Sequence, residues 1–353
     1  MSVIANLTTT QIAALSTTAI AGLSSTDIRA LAATQVAALS TTQIGVLSTA
    51  QVGALSTAQV AALESTDVAA LSTTQLRALG SAQVAALSTT QVGALTTTQV
   101  AGLGTAQVAA LESADVAALS TTQVGALGST QLAALGTAQL RGLETTDLAV
   151  LTTTQLGGLG SAQVAALSTA QVGALTTTQV AGLGTAQLRG LGSAQVAALS
   201  TTQVGALTTT QVAGLGTMQL RGLESADVAA LTTTQVGALT TAQLAALTSV
   251  QVGALTTTGL ASLTTTQVSG LSSSMLNALS TAQVTALTST AVAALTTTQM
   301  TGLATRQLAA LTTTQIGGLE TADIAALSNT QVAAFTTAQT GAMSSSQINA
   351  LFA

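Results

Sequence analysis

The sequence predicts a repeat solenoid, all-α, with one short helix in each eight-residue unit. Three observations lead there. Leucine recurs at every eighth residue from Leu7 to Leu351, with only Phe335 and Met343 in its place, and no insertion or deletion breaks the spacing. A second apolar column stands five residues after each leucine, from Ile12 to Ile348, with Thr340 its one polar member. Between the two columns lie Ser, Thr and Gln, the residues that start helices. Fixed-period similarity of this kind marks architectures in which each unit stacks on its neighbours.

Number the leucine position 1. Position 2 is Ser, Thr, Gly or Glu, apart from Ala32 and Ala304, and position 3 is Ser or Thr except at Ala33 and Asn329. Position 5 is Gln in most units and Asp at six, among them Asp27. With position 2 as the N-cap, the string is a capping box; with position 3 as the cap, the glycines at position 2, such as Gly80 and Gly104, close the preceding helix in a left-handed conformation. Either choice gives a helix of about one and a half turns running from position 4 to the next leucine. One unbroken helix is disfavoured, because hydroxyl-bearing, β-branched and Gly residues recur in every unit and would interrupt it. The alternative is a two-sided β-solenoid with two octapeptides per coil, since Thr-Thr-Gln-Val is good strand material. Against it, apolar residues do not alternate with period 2.

A longer period lies beneath the first. In units led by Leu15, Leu31, Leu47 and onward, position 7 is Ala except at Gly53, Asn277 and Gly341. In the intervening units it is Ala only at 13, 61, 109 and 333. Arg29, Arg77, Arg141, Arg189 and Arg221 take position 7 of the intervening units, while every Glu takes position 2 of the Ala-rich ones. Arg306 breaks the pattern. A period of sixteen is expected if two unlike units make one coil, with one side pressing position 7 against a neighbour and the other exposing it. No coil stands alone, because ordering two octapeptides costs on the order of 20 kcal/mol; stacking supplies the stability. The organisation is one continuous solenoid over 1–353, with 328–353 a degenerate C-terminal cap.

Composition excludes several function classes. The 353 residues contain no Cys, His, Lys, Pro, Trp or Tyr, and carry a net charge of −5 on 6 basic and 11 acidic side chains. Zinc, copper and haem lack their usual nitrogen and sulfur ligands. A Ser-His triad has no His, and a phosphate loop has no Lys. A nearly neutral surface opposes nucleic-acid binding. No cofactor and no small-molecule substrate is expected. The opening MSVIANL has no basic segment followed by an apolar one, and no run of about 18 apolar residues exists to insert in a membrane.

Five units pair Glu at position 2 with Asp at position 5: Glu64 with Asp67, Glu112 with Asp115, Glu144 with Asp147, Glu224 with Asp227, and Glu320 with Asp323. Paired carboxylates are candidates for Ca²⁺ or for acid–base work. The plainer reading is a solvated first helical turn, where acids suit the helix dipole. Arg141 with Glu144, and Arg221 with Glu224, read as exposed ion pairs of little energetic weight. Regular Thr columns would match an ice lattice if the fold were a flat β-solenoid.

Ile4 and Leu7 carry the repeat toward one end and Ile348, Leu351 and Phe352 toward the other. Apolar ends that stack head to tail build an open filament. These five residues are the expected assembly interface, and a second copy of the chain the expected partner.

The string Leu231–Leu239, LTTTQVGAL, resembles the opening helix of TAL-effector repeats, whose longer, basic units bind DNA. Over its whole length the chain is similar in repeat style to the Thr/Ala/Gln/Leu octapeptide tracts of large proteobacterial surface or secreted proteins, some of them called adhesins. That resemblance implies an extracellular or cell-surface location, reached without a cleaved N-terminal signal, with a cytoplasmic location as the alternative. The functional expectation is a non-enzymatic structural protein that assembles head to tail into a filament or surface layer. A monomeric adhesin-like or ice-binding rod is the second reading.

Overall fold

In a computed structural model, which describes residues 3–353, every octapeptide from Leu7 onward holds one short helix, and no strand occurs among the described residues. The all-α reading with one short helix per unit holds. Each helix starts at position 3 and ends at position 6, 7 or 8, as in Thr97–Gly102 and Thr89–Gly93. Position 2 is the N-cap, and where it is Ser or Thr the start is in most units a capping box; Gly, Ala and Glu at position 2 give no side-chain cap. Thr8 Oγ1 accepts from Gln11 N at 3.3 Å, and Gln11 Oε1 accepts from Thr8 N at 2.8 Å. Two backbone donors that a helix terminus leaves orphaned are thereby engaged.

The position-2 glycines are therefore not left-handed helix ends. Gly80 is itself an N-cap, at φ −73° and ψ 165°, and no described residue has a positive φ. The C-cap is instead the leucine or one of the two residues before it, and the chain bends through an extended pair. At Leu103, for example, φ is −63° and ψ 142°.

The chain forms two compact units, one ending at Leu175 and one spanning Thr176–Ala353. In the first unit Thr97–Gly102 packs on Thr73–Arg77, and Ser113–Ala117 on Thr89–Gly93 below and Thr137–Gly142 above. In the second, Thr217–Gly222 packs on Ser193–Ala197, and Ser225–Ala230 on Thr201–Gly205. Partners are always three octapeptides apart, so in each unit one coil is made of three octapeptides and three short helices, in place of the expected two. The junctions explain the difference. A sharp reversal at a helix end is commonly made by a left-handed residue, and none is present among the described residues. Each corner bends by less than a hairpin, and three corners close the turn.

The sixteen-residue period then takes a different meaning. Three is odd, so a unit of one series always stacks between two units of the other series. The alternation separates successive layers, not two sides of a coil. Position 7 does not report which side faces in: Ala117, Ala133, Gly93 and Arg77 are all exposed.

The core lies inside each coil. Position 6 is fully buried, as at Val92, Val124, Val212 and Val236, and the leucines are nearly so, with Leu95 4% and Leu239 2% exposed. In 328–351 the same columns open: Val332, Phe335, Thr340, Met343, Ile348 and Leu351 are half-buried. Those residues still form repeat helices, at Asn329–Val332, Thr337–Gly341 and Ser345–Ala350.

Candidate functional site

The column that joins coil to coil is position 5. Gln99 Oε1 accepts from Thr96 N at 2.8 Å, closing its own capping box. Its Nε2 then donates to Leu71 O at 2.7 Å and Val68 O at 2.9 Å, the carbonyls that end a helix of the coil below. The second unit repeats the geometry: Gln235 Oε1 accepts from Thr232 N at 2.7 Å while Nε2 donates to Leu207 O at 2.6 Å. These glutamines are buried, Gln307 completely. One amide thus serves an orphaned N–H in its own coil and, in the next, the Leu71 C=O together with the Val68 C=O, which also accepts from Leu71 N at 3.3 Å. This is what makes a buried side-chain amide tolerable.

Sequence reasoning recognised the cap but missed the ladder. The signal was present. A capping box accepts Glu as readily as Gln at this position, yet no Glu ever occupies it. Capping needs only an acceptor, so the strong preference for Gln over Glu points to a second task that needs a donor; Asp, which takes six of the slots, meets only the first.

The arginines serve the same joints. Arg77 Nε donates to Gly102 O at 2.6 Å, Arg141 to Ala166 O at 3.0 Å, Arg189 to Gly214 O at 2.8 Å and Arg221 to Ala246 O at 2.9 Å. Each acceptor ends a helix one coil on, where a cation is favoured. Ala166 and Ala246 are buried there, as is Ala54, which stands to Arg29 as Ala166 stands to Arg141. Arg141 and Arg221 are thus held by carbonyls, in place of the expected pairing with Glu144 and Glu224. Arg306 reaches Asn277 O through Nη2 at 3.2 Å.

Glycine at position 8 marks the closest approach of coils. A Cβ at Gly222 would lie 2.5 Å from Ser193 O, at Gly158 2.6 Å from Ser129 O, and at Gly142 2.7 Å from Ser113 O. All three belong to units of the Arg-bearing series.

The carboxylate pairs divide into unlike halves. Asp67, Asp115, Asp147, Asp227 and Asp323 are buried, while Glu64, Glu112, Glu144, Glu224 and Glu320 are exposed. In four pairs the Asp Oδ2 accepts from the Glu backbone N–H, at 3.2 Å for Glu64, 3.0 Å for Glu112, 2.9 Å for Glu144 and 3.0 Å for Glu224. Asp323 Oδ1 instead accepts from Thr297 Oγ1 at 2.8 Å, across the coil joint. Burial pushes Asp67, Asp115 and Asp227 above the usual carboxylate range; the Glu N–H opposes this and the Glu charge adds to it. Among the described residues, no group of three or more acidic, His or Cys side chains is placed to hold a metal ion.

Of the expected assembly residues, Ile4, Leu7, Ile348 and Leu351 are half-buried and Phe352 is 85% exposed. The surface depressions are open grooves between stacked helices, such as the one lined by Ser193, Ala197, Met218, Arg221 and Gly222. Among the described residues, no helix is long and apolar enough to cross a membrane.

What this geometry repeats along its length is a joint between stacked units, built from Leu, Thr and Gln at period eight. The family model described as the ALTTAQ repeat matches residues 4–41, 20–57, 33–65, 60–97, 108–145, 140–177, 180–217, 220–257 and 316–352. The chain belongs to the ALTTAQ-repeat family. The matched segments span four to five octapeptides each, more than one coil of three, so every one of them includes a unit together with a stacking partner. No curated protein matches the chain.

Proposed function

We propose that this ALTTAQ-repeat chain is a non-enzymatic structural protein whose coils serve extension, with copies joining head to tail into a filament or surface layer. The reading rests on one observation: most coil joints carry the same glutamine rung in the same geometry. Gln99 meets Leu71, Gln235 meets Leu207 and Gln347 meets Leu319 at 2.7, 2.6 and 2.8 Å, always at the same separation along the chain. A coil edge complementary to one neighbour is complementary to any other, including one from a second copy. The half-buried Ile4, Leu7, Ile348 and Leu351, with exposed Phe352, supply the apolar part of such a contact. With 5% charged residues, little electrostatic repulsion opposes it. The absence of His, Cys and Lys from the sequence speaks for structure over catalysis. A position outside the cell, as in adhesin-like surface proteins, rests on the Lys-free, Cys-free, Thr-rich composition. The ice-lattice variant depends on a flat β-solenoid, a condition that helices do not meet.

Electron microscopy and sedimentation of the purified chain over a wide concentration range test the proposal. Filaments that lengthen with concentration support it. Particles of a single size at every concentration overturn it and favour an isolated adhesin-like rod.

A further inference from the structure

The rungs of the glutamine ladder are unevenly spread. From Gln35 to Gln347 the slot holds Gln or, singly between two Gln neighbours, Asp, with one stretch excepted. In the second unit the five successive slots 259, 267, 275, 283 and 291 hold Gly, Gln, Met, Gln and Ala. Nowhere else on that span do two of three successive slots lack Gln. Three slots make one coil joint, so the coil 255–278 stands on the coil 231–254 with a single glutamine, Gln267. It donates to Leu239 O at 2.6 Å and to Gly237 O at 3.0 Å. The joint below has all three rungs: Gln235, Gln243 and Gln251 donate to Leu207 O, Leu215 O and Leu223 O at 2.6, 2.8 and 2.7 Å.

Apolar groups fill the slots that lack Gln. Met275 and Ala291 are 7% and 1% exposed. Beside Gly259 stands Val236, whose Cγ2 lies 3.3 Å from where a Cβ would be. Among the described residues no side chain donates to Leu231 O, Leu247 O or Leu263 O, the carbonyls that Gln at these slots would reach by the offset Gln267 shows. The cap function is lost with the rung. Ser272 N meets Met275 Sδ at 3.5 Å, and the Thr256 and Thr288 caps have no Oε1 for their N–H groups. Ser262 Oγ also reaches across, 3.3 Å from Thr233 O, but it lies 2.6 Å from Gly259 O in its own octapeptide, and a hydroxyl has one proton to give.

We propose that this joint is a built-in opening point: the stack parts reversibly between 231–254 and 255–278 while the joints around it stay closed. Apolar contact holds these coils as it holds the others. A rung adds two things that apolar contact does not. It pairs backbone groups of both coils only when they are closed, and its direction fixes their register. Where the rung is present, opening gives up its bonds in exchange for water. At slots 259 and 275 there is no rung to give up, and Leu231 O and Leu247 O gain a water partner on opening. The same apolar area is exposed in both cases, so the difference lies in the polar balance and favours opening here.

Native-state hydrogen exchange of the full chain, read by mass spectrometry and corrected for intrinsic rates, tests the proposal. The stacked helices Thr241–Ala246 and Thr265–Ser269, one on each side of the joint, are expected to exchange about tenfold faster or more than Thr209–Gly214 and Thr217–Gly222 in the same unit. Met275→Gln keeps the volume and restores a second rung. It is expected to slow exchange several-fold on both sides of the joint and to leave the first unit unchanged. Q83M/Q99M leaves Gln91 as the single rung of its three slots and is expected to create a fast-exchanging joint in the first unit. Even protection throughout the second unit overturns the proposal. So does fast exchange at 241–269 that Met275→Gln leaves as it was, or a Q83M/Q99M chain whose first unit stays as protected as in the wild type.

Discussion

Gly157 and Gly158 are consecutive, yet alanine at the two positions is expected to act in opposite directions. A Cβ at Gly157, the last residue of the helix Thr153–Gly157, meets nothing within 4 Å. A Cβ at Gly158 lies 2.6 Å from Ser129 O, 2.9 Å from Ser129 Cβ and 3.0 Å from Ser129 C. Two of those atoms are backbone, so no rotamer change relieves the contact, and the coils must part by several tenths of an ångström. Gly157→Ala removes unfolded-state freedom and is expected to stabilise by about 0.5–1 kcal/mol. Gly158→Ala gains the same entropy term but overpacks the joint, at about 1–3 kcal/mol, for a net loss of roughly 1–2 kcal/mol. Urea titration of both variants beside the wild type, with hydrogen exchange around Ser129, reads the difference. The experiment also tests coil length. Ser129 opens the helix Ser129–Ala134, three helices before Thr153–Gly157, and it faces Gly158 only if three octapeptides make a turn. Shifts of equal sign and similar size at the two positions would refute stacking at an offset of three units.

Three further outcomes follow from the same joints. Gln99→Met keeps the volume but leaves Thr96 N–H, Val68 O and Leu71 O without their amide; a loss of about 2–4 kcal/mol is expected in denaturant titration, and the chain's own Met275 in the equivalent slot indicates that the variant folds. Thr96→Ala removes the Oγ1 that accepts from Gln99 N at 3.2 Å and is expected to cost about 1 kcal/mol in the same assay. Arg221→Ala is expected to lower the thermal midpoint slightly, and about 1 M salt is expected to reduce that loss only in part, because the hydrogen bond to the neutral Ala246 O survives when the helix-end charge effect is screened; a loss that salt abolishes would restore the ion pair with Glu224.

Much of the architecture is written in eight residues. The leucine column, replaced only at Phe335 and Met343, and its companion column of Val, Ile or Leu specify that nearly every unit buries the same two groups. The hydroxyl-x-x-Gln string specifies a helix start in each unit, and the expected all-α repeat follows from those local rules. The choice between position 2 and position 3 as the cap was not decidable from the string, since both hold hydroxyls; Gly80 at an extended N-cap settles it. The carboxylate pairs were visible as pairs, but not their division into a buried Asp and an exposed Glu, which depends on the coil above and below.

What only the tertiary structure decided is how many units close a turn. Local signals have a range of a few residues, and nothing within one octapeptide counts corners. The sixteen-residue alternation suggested two units per coil because a layer-by-layer alternation and a side-by-side one leave the same trace in a linear sequence. Stacking at an offset of three units, fixed by how far each Leu corner bends without a left-handed residue, turns that trace into alternate layers. The glutamine column then becomes more than a cap. The Oε1 of Gln99 satisfies a contact that the sequence states, with Thr96 in its own unit, while its Nε2 satisfies one with Leu71 that only the closed coil brings within 2.7 Å.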